Sequence, residues 1–219
     1  MLYCHRYRFL FVHLAKTGGT SVRTALDRYR WRDPLFYPQL VCRRLSDLTG
    51  RRMGVRMPRH AKAITAYEML PGDLFASLFK FAFVRNPWDL QVSSWYHIAR
   101  ERPHLLAGID DFETFLRWKL EDPERPYNYI VDASIEPQWH SLMDFDGRCL
   151  VDFLGHYETL EADYAEACRR IGLKRPPALP HKRKAEGRSD YRRYYSDAAA
   201  ELIERHFRLD IDNLGYSFD

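Results

Sequence analysis

The chain has 219 residues and a net charge of +4, enough length for one sizeable core and no need of a second domain. Hydrophobic residues at 46% and aromatics at 15% exclude a disordered chain, and so small a positive excess gives no reason to expect a nucleic-acid partner. Cys4, Cys42, Cys149 and Cys168 lie far apart, without a C-x-x-C pair or His-rich spacing, so they read as reduced packing residues and no metal site is indicated. The early apolar run FLFVHLA is too short for a membrane span or for a signal-peptide core with a cleavage site. A soluble protein is expected, cytoplasmic if the chain is full length.

In chain order, Tyr7 to Leu14 is rich in aromatic and branched residues and stops before Gly18-Gly19, which predicts a buried strand; Ser21 to Tyr29 then reads as a helix. The section from Arg30 to Arg59 is Arg-rich, carries Pro34, Pro38 and Pro58 and shows no clean period, with a short helix over Leu40 to Leu48. A helix is expected from Ala63 to Leu70, ended by Pro71-Gly72, and a buried strand from Phe79 to Val84. Asn86 as N-cap and Pro87 at the first helical position predict a helix to about Arg100. Further helices are expected over Asp110 to Glu121, Leu160 to Ile171 with Gly172 as stop, and Asp197 to Phe207 with Ser196 as cap; Cys149 to Tyr157 reads as a strand. The basic, Pro-containing segment from Lys174 to Arg193 reads as a surface loop. Strand-loop-helix units in this order imply an α/β fold, a single domain over residues 1–219 with a central, mainly parallel sheet flanked by helices.

Two turns carry the chemistry. In FVHLAKTGGTSV the glycines let backbone approach an oxyanion closely, Thr17, Thr20 and Ser21 offer hydroxyls and Lys16 a charge, all at a helix N-terminus where an anion is favoured. The order is unlike a triphosphate P-loop, which places its glycines first and its lysine last. A tight turn with a helix cap is the plainer alternative for this stretch alone. In FVRNPWDLQVSSW, Arg85 ends the second strand and Ser93 stands on the helix that follows. Ligands of parallel sheets bind beyond the carboxyl ends of strands, so two anion-holding turns there imply one ligand with two separated anionic groups.

With those residues in view, HLAKTGGTSV resembles the 5′-phosphosulfate loop, and FAFVRNPWDLQVSSWYH the 3′-phosphate loop, of sulfotransferases that use 3′-phosphoadenosine 5′-phosphosulfate (PAPS). The similarity is to the carbohydrate, Golgi-type group that contains the heparan sulfate 2-O- and chondroitin-type enzymes, and to its bacterial relatives; GHYETLEADY, LPHKRK and DIDNLGYSF follow in the order that group shows. Ala15 stands where proline is common and Leu90 where a basic residue is usual. The resemblance implies a P-loop-like sulfotransferase fold. It also implies that Lys16, Thr17, Gly18, Gly19, Thr20 and Ser21 hold the 5′-phosphosulfate, that Arg85 and Ser93 hold the 3′-phosphate, and that Arg183 and Arg188 fold over nucleotide or acceptor. The implied reaction is in-line transfer of a sulfuryl group from PAPS to an acceptor hydroxyl, on a carbohydrate or glycolipid, with release of PAP and no metal required.

His60 stands where relatives place a catalytic histidine, and an ordinary pKa near ~6.5 suits a general base. Lys16 joins it as a catalytic residue by stabilising the leaving oxygen. His13 reads as buried at the strand end. Glu68, Asp89 and Glu158 are weaker candidates for base or orienting partner, and Trp88, Trp95 and Trp139 read as core before they read as ring-stacking platforms. Two alternatives remain at this level: a P-loop-type nucleotide kinase, and an inactive protein that binds sulfated glycans.

Overall fold

The computed structural model describes residues 1–51, 53, 57–180 and 189–219. Along these the chain forms β1 (Leu2–Cys4), β2 (Phe9–Val12), α1 (Gly19–Trp31), α2 (Phe36–Thr49), α3 (Ala63–Met69), α4 (Gly72–Ser77), β3 (Phe79–Val84), α5 (Pro87–Glu101) and α6 (Phe112–Leu120). Then follow α7 (Tyr129–Asp132), β4 (Phe153–His156), α8 (Leu160–Ile171), α9 (Asp197–His206) and α10 (Arg208–Leu214).

The sheet has the order β1-β2-β3-β4. Its central pair β2 and β3 is parallel, as expected, with Phe9 opposite Phe79 and Phe11 opposite Phe81. The edge strand β1 was not expected and runs antiparallel to β2, with Leu2 opposite Phe11. The turn that reverses it places Arg8 at φ 47°, and the buried Asp33 carboxylate accepts the N–H groups of His5 and Arg6. β4 is shorter than the predicted strand, because Cys149 is engaged in an isolated bridge with Met143. Asp152 joins β3 just ahead of it: its N–H donates to the Lys80 carbonyl, its carboxylate accepts from the Lys80 N–H, both at 2.7 Å, and the Lys80 ammonium lies 2.9 Å from that carboxylate.

Two compact units make up the chain, each assembled from interleaved segments. The first comprises the described residues of Met1–Leu14, Gly18–Phe83 and Ser141–Lys182. Its core stacks Phe11 on Phe81 and Phe81 on Phe79, with ring centroids 5.2 and 5.6 Å apart, and covers them with Val22 and Leu26 of α1 and Tyr164, Ala167 and Cys168 of α8. Each such phenylalanine contributes on the order of 1.5–3 kcal/mol by leaving water. The second comprises the described residues of Ala15–Thr17, Val84–His140 and Arg183–Asp219. Its core joins Trp88, Val92 and Ile98 of α5 to Phe112, Phe115 and Leu116 of α6 and to Leu202 and Ile203 of α9. Within it Lys119 is buried, its ammonium donating to Gln91 Oε1, Ser94 Oγ and Ser134 Oγ at 2.6, 3.1 and 2.9 Å, and burial pushes its pKa well below the usual lysine range.

Candidate active site

β2 ends in a turn whose conformation depends on its residues. Lys16 sits at φ 65° and Gly18 at φ 78°, so two left-handed steps within three residues reverse the chain into α1. For lysine that conformation costs on the order of 1 kcal/mol, which surrounding structure has to offset. Gly18 is the N-cap of α1 and offers no side-chain acceptor; the Ser21 and Val22 N–H groups turn back to its carbonyl at 2.9 and 3.4 Å. The positive end of a 13-residue helix therefore opens here without an anionic cap of its own. A Cβ on Gly18 would lie 2.7 Å from Leu160 Cδ2, and one on Gly19 would lie 2.1 Å from His13 Cδ2. Only glycine fits both places, and close approach to backbone N–H groups is what an oxyanion needs. Thr17 and Ser21 are buried and Thr20 half-buried.

His13 is buried, as expected, and organises this end of β2. Its ring stacks on Phe11 at 5.5 Å and lies under Gly19; burial, its first cause, lowers its pKa to about 3. Its backbone carbonyl meets His60 Nδ1 at 2.9 Å. A carbonyl can only accept, so Nδ1 carries the proton and neutral His60 presents Nε2 as its basic nitrogen. Burial lowers the His60 pKa, while the bond to the His13 carbonyl partly opposes that shift. The segment leading into His60 also borders a cavity of about 650 Å³, through Met57 and Pro58, that α2 lines with Phe36, Leu40 and Arg43.

In the second unit Arg85 is buried, and Asn86 caps α5 by accepting from the Trp88 and Asp89 N–H groups. The Arg85 guanidinium donates from Nε to Asp89 Oδ2 at 2.6 Å and from Nη1 to the Lys16 carbonyl at 2.8 Å. Its peptide is held as well: the Arg85 N–H donates to Gln138 Oε1 at 2.9 Å, and Gln138 Nε2 donates to the Arg85 carbonyl at 2.8 Å. Asp210, buried on α10, accepts from Gln138 N, Gln138 Nε2 and Trp139 N at 2.8, 3.2 and 2.8 Å. Burial raises the Asp210 pKa and these donors oppose it. Half-buried Ser93 is four residues beyond Asp89, on the same face of α5.

The structure thus brings Lys16, Arg85 and Asp89 together in one unit, and Gly18, Gly19, His13 and His60 together in the other. Asp89 serves as orienting partner of Arg85. Trp88 and Trp95 are core residues: Trp88 Nε1 donates to the Ala200 carbonyl at 3.0 Å, and the Trp95 ring lies 5.0 Å from Phe115. Leu90, expected from the resemblance to stand where a basic residue is usual, is 3% exposed and spent on packing. Arg183 and Arg188 lie outside the described residues. Gln138 and Asp210 were missed, although DIDNLGYSF, which contains Asp210, stood out in the sequence. Among the described residues no group of three or more His, Cys, Asp or Glu is placed to hold a metal ion, and no helix is long and apolar enough to cross a membrane.

The family model described as "Sulfotransferase family" matches residues 1–217. An uncharacterized protein of Archaeoglobus fulgidus is 31% identical over 100 residues, covering 46% of this chain and 72% of that protein. Carbohydrate sulfotransferase 10 of Xenopus laevis is 24% identical, covering 79% of this chain and 52% of its own length. Carbohydrate sulfotransferase 10 of Gallus gallus is also 24% identical, covering 97% of this chain and 65% of its own length. The chain therefore spans roughly half to two-thirds of the two vertebrate enzymes. No solved structure matches. With one family model running through both loops and on to the C-terminal helices, the chain belongs to the sulfotransferase family.

Proposed function

We propose that the protein is a PAPS-dependent sulfotransferase that sulfates a hydroxyl of a carbohydrate acceptor. The observation that carries this reading is the hydrogen bond from the Arg85 guanidinium to the Lys16 carbonyl, through which two segments 69 residues apart meet. Those are the segments that resemble the two donor-binding loops. The glycine pair, which no residue with a Cβ can replace without displacing Leu160 or His13, supports an anion at the start of α1. The names of the two vertebrate relatives support a carbohydrate acceptor.

In this reading Lys16, Thr17, Gly18, Gly19, Thr20 and Ser21 hold the 5′-phosphosulfate, and Arg85 and Ser93 the 3′-phosphate. Bound there, PAPS supplies an activated sulfuryl group and PAP as leaving group. The Lys16 ammonium neutralises charge that grows on the oxygen bridging to the 5′-phosphate, and the N–H groups opening α1 do the same for the neighbouring oxygens. His60 accepts the acceptor's hydroxyl proton on Nε2 while its Nδ1–H stays on the His13 carbonyl. A sulfuryl group carries less charge than a phosphoryl group, so the reading invokes no metal ion.

The test is incubation with labelled PAPS and a panel of hydroxyl-bearing glycans, with mass spectrometry of products and titration of PAP. Wild type is expected to bind PAP and form a sulfate ester, and Lys16→Ala to lose transfer. Absence of both PAP binding and transfer in wild type overturns the function; full transfer by Lys16→Ala overturns the site.

A further inference from the structure

Lys119 of α6 is 2% exposed, yet the groups its Nζ meets, Gln91 Oε1, Ser94 Oγ, Ser134 Oγ and the face of the Phe115 ring, are all neutral. Among the described residues no carboxylate pairs with it. Asp132, whose charge does act on it, is committed to the Arg125 guanidinium and to the Asn128 N–H, both at 2.6 Å. An ammonium enclosed in this way forfeits its hydration without gaining a counter-charge, whereas the neutral amine forfeits little. The cluster can serve either form. As an ammonium Lys119 donates to all three oxygens; as an amine it donates to Gln91 Oε1 and Ser134 Oγ and accepts from the Ser94 hydroxyl, whose hydrogen can turn. Gln91 is fixed for both, its Nε2 donating to the Ser134 carbonyl at 2.9 Å.

This cluster is built on the helix that follows Arg85. Gln91 and Ser94 stand two and five residues beyond Asp89, which accepts from Arg85, and Ser94 adjoins Ser93. Burial is the first cause that lowers the Lys119 pKa; Arg125 adds to it, Asp132 opposes it and Lys16 adds again. The other titratable residues around it do not bond to it. They are Asp89, Tyr96, His97, Arg100 and Glu101 on or ending α5, Tyr129 on α7, and Glu113, Arg117 and Glu121, which pair with one another along α6.

We propose that Lys119 is a latent counter-charge for the sulfuryl donor: as the anionic donor settles at Lys16 and Arg85, the Lys119 amine takes one proton from solution and becomes an ammonium. The proposal rests on the placing of PAPS and PAP given above. An anion beside Lys16 reverses the sign of the field that Lys119 feels from that turn, and an opposite charge favours the ionised form.

The experiment is isothermal titration of PAP into the full chain at about pH 7.5, in HEPES and in Tris, whose ionisation heats differ. There the phosphates of PAP, with a second pKa near ~6, are almost fully ionised, and any proton left on them would be released rather than taken up. Wild type is expected to take up about one proton per PAP, and its affinity to weaken with rising pH by up to about tenfold per unit. Lys119→Met and Lys119→Gln, the second of which keeps an N–H donor for the cluster, are expected to abolish the uptake; their thermal transitions are recorded alongside. A Lys119 that only supports the fold would change stability or affinity in the variants with no proton taken up by wild type. No uptake by wild type, or uptake equal to wild type in either folded variant, overturns the proposal. A wild type that does not bind PAP overturns the underlying placing of the donor as well.

Discussion

The Arg85 guanidinium donates to the backbone carbonyl of Lys16 at 2.8 Å, and to the Asp89 carboxylate at 2.6 Å. The lysine whose backbone it holds is in the left-handed region, so a buried cation offsets the strain at the residue proposed to meet the sulfuryl donor. Arg85 serves two ends at once because the planar fork of guanidinium places several donors in fixed directions.

Arg85→Lys separates charge from geometry. An ammonium keeps the positive charge but cannot reproduce both bonds in their present directions. Affinity for PAP is expected to fall by at least about tenfold, close to 1.4 kcal/mol, measured by isothermal titration. Unchanged affinity would remove Arg85 from the donor site.

Asp210→Ala removes the acceptor shared by the backbone and side-chain N–H groups of buried Gln138 and by the backbone N–H of half-buried Trp139, while Gln138 Nε2 keeps its bond to the Arg85 carbonyl. Unfolding in urea is expected to show a loss of about 2–4 kcal/mol. Gln138→Ala should cost less stability while still weakening PAP binding, because it frees the Arg85 peptide and leaves Asp210 bonded to Trp139. If Gln138→Ala binds PAP as wild type does, the support of the Arg85 peptide has no bearing on the donor.

His60→Ala is expected to keep PAP affinity and lose at least about 100-fold in turnover. The basic form of His60 is the neutral one, and burial lowers its pKa. The acid limb of kcat/KM should therefore lie below the ordinary histidine value of about 6.5, with activity flat above it until another group titrates. A limb centred above that value would assign it to a different base.

His13 gives a stability signature. Its folded pKa is about 3, against about 6.5 in the unfolded chain, so between these values the unfolded state binds the extra proton. Stability is thus intact above about pH 6.5 and falls on acidification, at a limiting slope of about 1.4 kcal/mol per pH unit from this residue. In His13→Gln the dependence between pH 6 and 4 (about two units of the same window) is expected to be shallower than in wild type by urea unfolding. Parallel profiles would show that His13 does not titrate as a buried neutral ring.

The elements that proved legible carry their own punctuation. β3 matches its predicted bounds and α5 begins at Pro87 because Asn86-Pro87 caps one element and starts the next; α8 stops at Gly172, whose φ of 79° suits glycine. β1 is three residues long, and its pairing depends on Asp33 holding the turn from 27 and 28 residues away. α4 begins directly after Pro71, where the dipeptide Pro71-Gly72 signals only a stop, and α10 follows α9 across the single residue Phe207. α2 runs longer than predicted because Pro38 falls within its first turn, where a missing N–H costs nothing. The site divides the same way. Lys16, Gly18, Gly19 and Arg85 sit in compact local patterns, whereas Gln138 lies 53 residues from Arg85 and 72 from Asp210. A neutral amide and a carboxylate so far apart carry no signal until the chain is folded.

The Gln138 amide faces the Arg85 peptide as a neighbouring strand would, one bond given and one received. The Arg85 amide proton, just past the end of β3, should consequently exchange with deuterated solvent as slowly as protons inside the sheet. Its rate should rise in Gln138→Ala before the sheet itself loosens. One amide then becomes a clock for the turn that carries Arg85, readable without any substrate.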